Sequence, residues 1–122
     1  MDKNRITLTA FALTLTAASA SAEPPEVTGV KTSLAGMGWR VEVTVSHPDT
    51  GWDHYADGWE VLDVAGNRLG YRELFHPHVD EQPFTRALSN VMIPDGTDEV
   101  FIRTRCSREG WSQSLHRVEL TR

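Results

Sequence analysis

The chain has 122 residues, 12 basic and 17 acidic side chains, a formal charge of −5 and one cysteine. An acidic balance argues against nucleic acid or an anionic membrane surface as partner. A single cysteine allows no internal disulfide, so the fold must rest on its core or on a ligand.

Met1 to Arg5 is short and basic, Ile6 to Ala18 is apolar with interspersed Thr, and Ala20-Ser-Ala22 gives a small-x-small pattern. This predicts a signal peptide over 1–22, cleaved before Glu23. The apolar run is too short to span a bilayer and no later segment is longer, so no transmembrane segment is expected. No cysteine stands at the cleavage site to carry a lipid. The expected destination is the periplasm of a Gram-negative bacterium or the outside of the cell. Losing Lys3, Arg5 and Asp2 leaves 10 basic and 16 acidic side chains over 23–122, which is the length of one domain.

From Glu23 onward the pattern is one of short strands. Val27–Ser33 alternates weakly. Trp39, Val41, Val43 and Val45 share one face of a clear period-2 strand, opposed by Arg40, Glu42, Thr44 and Ser46. His47-Pro-Asp-Thr-Gly51 breaks it, and a loop to Gly58 carries Trp52, Asp53, His54, Tyr55 and Asp57. Trp59–Val64 is the third strand, closed by the turn Ala65-Gly-Asn67, and Arg68–Phe75 is its antiparallel partner. Phe84–Ile93 follows a loop rich in His, Pro and carboxylates. Val100, Ile102, Thr104 and Cys106 form one face of the next strand, Ser107–Ser112 is a loop, and Gln113–Thr121 is the last strand. Sustained helical periodicity is absent. Seven short strands with regular turn signals imply an all-β, antiparallel seven-stranded sandwich.

Ile93-Pro-Asp-Gly-Thr-Asp-Glu-Val-Phe-Ile-Arg-Thr-Arg105 with Gly110-Trp-Ser112 resembles the E–F–G region of immunoglobulin and fibronectin type III-like domains, with Val100 standing where such domains often carry a core tyrosine. The string His76-Pro-His78…Glu81-Gln-Pro-Phe-Thr-Arg86 is similar to one in small exported bacterial proteins of unassigned role. The first resemblance implies fold and leaves function open.

In such a sandwich alternate connections share an end. Loops 47–58, 76–83 and 106–113 should therefore converge, bringing together His47, His54, His76 and His78. His76 and His78 project to one side of an extended segment and are the expected metal pair, with His54, His47 and Glu81 as further ligands. Imidazole with carboxylate suits Cu or Zn. The competing reading is that these histidines only brace the loops, with Asp53, Asp57 and Arg86 as structural partners. A single-loop blue-copper motif is excluded, because Cys106 is followed by His116 and by no methionine; Cys106 reads as a small buried residue. Trp52, Tyr55 and Trp111 offer a surface for another exported protein or a glycan. Asp53, Asp57, Asp80 or Glu81 with His54 would serve a small hydrolase, but no nucleophile elbow, phosphate loop or metalloprotease helix is present, and a non-enzyme is expected.

Overall fold

In the computed structural model, residues 23–122 are described. The expected signal peptide and its cleavage point lie outside them. Eight strands form two antiparallel sheets, and no helix occurs among the described residues: β1 (Glu26–Ala35), β2 (Gly38–Ser46), β3 (Ala56–Leu62), β4 (Arg68–Glu73), β5 (Phe84–Val91), β6 (Glu99–Cys106), β7 (Gly110–Trp111) and β8 (His116–Glu119). One sheet has the order β1-β2-β5. The other runs β4-β3-β6, with β7 and β8 both pairing the far side of β6.

The strand faces follow the period of two. Trp39, Val41, Val43 and Val45 are buried against Trp59, Val61, Val100 and Ile102 of the opposite sheet, with Phe84, Leu74 and Val118 completing one core. Burying each such side chain contributes about 1.5–3 kcal/mol. Gly38 is needed for packing: a Cβ there would lie 2.9 Å from the Asn90 backbone, where β5 closes on β2.

The expected last strand, Gln113–Thr121, is shortened to β8, and one further short strand precedes it, giving eight strands where seven were expected. Gly110 and Trp111, expected in a loop, are β7. The break between β7 and β8 is chemical. Ser112 N–H donates to the Thr104 carbonyl at 2.8 Å, and its hydroxyl accepts the Ser114 N–H at 3.1 Å. A hydroxyl that satisfies a nearby backbone donor offers the chain an alternative to the ladder. Strand β3 starts at Ala56, three residues before the expected Trp59, because Ala56 pairs with Cys106 across the sheet.

Candidate functional site

Strands β2 and β6 end beside each other, where the loops 47–55 and 74–83 meet the short 107–109 turn. Ser107 ties that turn to the first loop, its N–H donating to the Tyr55 carbonyl at 2.9 Å and its hydroxyl accepting the Tyr55 N–H at 3.0 Å. Three of the predicted histidines, His47, His54 and His78, are found here with Cys106.

Immediately after β2, Asp49 N–H donates to the His47 carbonyl at 2.8 Å, a tight three-residue turn through Pro48. The turn folds the Asp49 carboxylate back onto the His47 ring, and His47 Nδ1 meets Asp49 Oδ1 at 2.6 Å with both side chains fully buried. Asp49 Oδ1 also accepts the Ala56 N–H at 2.9 Å, and Oδ2 accepts the His78 N–H at 2.8 Å. An ionised carboxylate can only accept, so Nδ1 carries a His47 proton, and a neutral ring held this way has its lone pair at Nε2.

That Nε2 is buried and has no hydrogen-bond partner, and the same holds for His54 Nε2. The two rings meet edge to face with centroids 4.9 Å apart. Cys106, fully buried at the end of β6, completes a cluster in which the ligand atoms of His47, His54 and Cys106 lie within 4.8 Å of one another. Metal–nitrogen and metal–sulfur bonds of about 2.0 and 2.3 Å put ligand atoms roughly 3.3–3.7 Å apart around a trigonal or tetrahedral ion, so an inward shift of about an ångström would close the set on one ion. An imidazole whose other nitrogen donates to a carboxylate is the usual form of a histidine metal ligand.

The ligand atoms that converge are therefore not those of the expected pair, His76 and His78. Those rings are near each other, with centroids 4.6 Å apart. However, Arg86 Nη2 donates to His78 Nε2 at 2.8 Å, and a guanidinium has no acceptor to offer. His78 Nε2 accepts this bond, which places a proton on Nδ1, itself buried without a partner, and engages the Nε2 lone pair with Arg86. The His78 ring stacks on Phe84 at 3.8 Å, and burial with the Arg86 charge beside it pushes its pKa down. His76 is exposed, as is Glu81, whose carboxylate lies 3.7 Å from Arg86. Gln82, next to the cis Gln82–Pro83 bond, links the two histidine segments by accepting the His47 N–H at 3.0 Å and donating to the His78 carbonyl at 2.9 Å.

The remaining candidates take separate places. Asp57 pairs with Arg105, and burial raises its pKa. Asp53 sits at the tip of loop 47–55, beside Gly51. The carboxylate that orients a histidine is Asp49, to which the sequence reading gave no role; the signal available was the His-Pro-Asp spacing. Trp52 is 70% exposed and meets Tyr55 edge-on at 5.7 Å. Trp111 lies on the outer face of the larger sheet, against Tyr71 at 5.9 Å and beneath Arg103 at 4.9 Å. There Arg68 and Arg103 clamp Glu60, which is 1% exposed.

No family model matches the chain. Over 79 residues, 65% of the chain, it is 42% identical to a protein of Halomicrobium mukohataei named "Putative lipoprotein", of whose length it spans 38%. Among solved structures it is similar to the superoxide reductase (1Fe-SOR) from Giardia intestinalis, with 17% identity, a TM-score of 0.45, and coverage of 75% of this chain and 95% of the other.

Proposed function

We propose that this protein is an exported binding module that holds one transition-metal ion, Cu or Zn, between His47, His54 and Cys106. The observation that carries the reading is the pair of buried, unpartnered Nε2 atoms on two histidines whose ligand atoms lie within 4.8 Å of each other and of a buried thiol. Leaving buried polar atoms unpaired costs about 1–3 kcal/mol each, and an ion would satisfy all three groups at once. Sulfur and imidazole together favour these metals over Mg or Ca. Export is supported by the leader pattern of residues 1–22 and agrees with the name of the similar protein, a lipoprotein. The division of strands β1-β2-β5 against β4-β3-β6 with β7 and β8 supports an immunoglobulin/fibronectin III-like sandwich as the carrier.

Titration of the metal-free protein with Zn²⁺ and Cu²⁺, followed by thermal unfolding, tests this. One ion per chain at micromolar affinity or tighter, about −8 kcal/mol, is expected, lost in His47→Ala and Cys106→Ala and kept in His76→Ala. Weak binding that ignores these substitutions would remove the site.

A second reading, a metal-free surface for an exported protein or a glycan, is favoured by the exposed indole of Trp52 beside Tyr55. It predicts partner binding that survives metal removal and is lost in Trp52→Ala. Asp49, His47 and Cys106 also stand in the order orienter, base, nucleophile, but a nucleophile must touch its substrate and Cys106 is fully buried. The burial argues against a hydrolase at this site.

A further inference from the structure

We propose that the His47–His54–Cys106 centre is a mononuclear copper site that passes single electrons, an assignment that rests on the metal-binding reading above. Two imidazoles with one thiolate are the in-plane donor set of electron-transfer copper sites, whereas structural zinc is almost always held by four protein ligands. The cluster holds three ligand side chains among the described residues. The sequence excludes a single-loop copper motif. Here the histidines come from the β2–β3 loop and the cysteine from the end of β6, so the same donor types arrive from two segments.

Three further features fit electron transfer. The His47 ring is fixed by Asp49, which is itself held by the backbone of Ala56 and His78, so little rearrangement accompanies a change of oxidation state. Cys106 is the chain's only cysteine and is buried, so Cu²⁺ has no second thiol within the chain with which to close a disulfide. His54 is the one ligand residue that is not fully buried. Its loop and loop 74–83 also carry Trp52, Phe75 and Val79, all more than half exposed. A buried ion with one partly exposed ligand residue among apolar side chains suits a transient redox protein better than a small substrate that must reach the metal.

On loading, Cys106 loses its thiol proton to solvent and binds Cu²⁺ as thiolate. In turnover, one electron from a reduced one-electron carrier protein converts Cu²⁺ to Cu⁺, and one electron leaves to an oxidised carrier. No protein bond forms or breaks in either step.

The test is anaerobic titration of the metal-free protein with Cu²⁺, read by absorption and electron paramagnetic resonance, beside Zn²⁺ binding. One Cu²⁺ per chain is expected, with strong visible thiolate-to-copper absorption. Ascorbate should bleach it, ferricyanide should restore it over repeated cycles, and Cys106→Ala should lack it. His47→Gln should bind Cu²⁺ at least tenfold more weakly. The wild-type spectrum and its reversibility carry the test if Cys106→Ala does not fold. Stoichiometric Zn²⁺ binding with no such absorption from Cu²⁺, or with Cu²⁺ reduced irreversibly, would overturn the redox assignment and leave the metal site standing. Failure of both ions to bind would overturn both.

Discussion

His47 and Asp49 are joined by a 2.6 Å hydrogen bond inside the protein, and that bond leaves Nε2 as the buried ring nitrogen without a hydrogen-bond partner. The contact is local in sequence and buried in space. Its effect reaches the start of β3 and the loop 74–83, because Asp49 also binds the backbone of Ala56 and of His78.

Asp49→Asn puts this to the test. All three groups facing the carboxylate are N–H donors, so an amide NH₂ must oppose one of them. A stability loss of about 1–3 kcal/mol is expected, together with metal affinity weakened roughly 10–100-fold. Unfolding and Zn²⁺ titration measure the two effects. Unchanged affinity would show that Asp49 does not orient the ligand.

His78 gives the fold a pH dependence. Its pKa lies below the ordinary 6.5, through burial first and then the Arg86 and His76 charges, with Glu81 and Asp49 acting in the opposite direction. The unfolded chain therefore takes up this proton before the folded chain does. Stability is fully present above pH 6.5 and falls as the pH drops through the interval below it, by at most about 1.4 kcal/mol per pH unit from this group. Urea unfolding of metal-free protein between pH 7 and 5 should show a steeper decline in wild type than in His78→Gln. Equal slopes would assign the decline to other groups.

Arg86 lies 2.8 Å from the His78 ring and 3.7 Å from Glu81, so it braces the loop 74–83 from the first turn of β5. In Arg86→Ala the amides of that loop should exchange faster while those of β2, β3 and β6 keep their protection. Protection lost throughout the sheets would mean that Arg86 supports the whole fold.

Glu60 is a buried charge on the outer face of the larger sheet, held by two arginines that stay partly in water. Glu60→Gln keeps the volume and releases two solvated cations, so a loss of about 1–3 kcal/mol is expected. The Arg68→Ala/Arg103→Ala double variant leaves the carboxylate buried and unpaired, and about 3–5 kcal/mol is expected. Denaturant unfolding ranks them. A double variant no worse than Glu60→Gln would show that water reaches Glu60 once the arginines are gone.

The strand faces were legible because side chains in a strand alternate with a period of two: Trp39, Val41, Val43 and Val45 are buried, as are Val100, Ile102, Thr104 and Cys106. The convergence of His47, His54 and His78 at one end was legible too, because antiparallel strands return alternate loops to the same side. The late start of the last strand, at His116, was not, since it depends on the Ser112 hydroxyl accepting the Ser114 N–H just before it.

The sequence by itself determined an all-β chain, its inward faces and the loops that carry its histidines. Only the tertiary structure decided which histidines gather around Cys106. The Ala56–Cys106 register places the thiol beside loop 47–55, the Pro48 turn sets Asp49 on His47, and Arg86 occupies the lone pair of His78. Each of these is a choice among possible partners, and partner choice depends on where separate segments come to rest, which the local pattern of a strand does not encode.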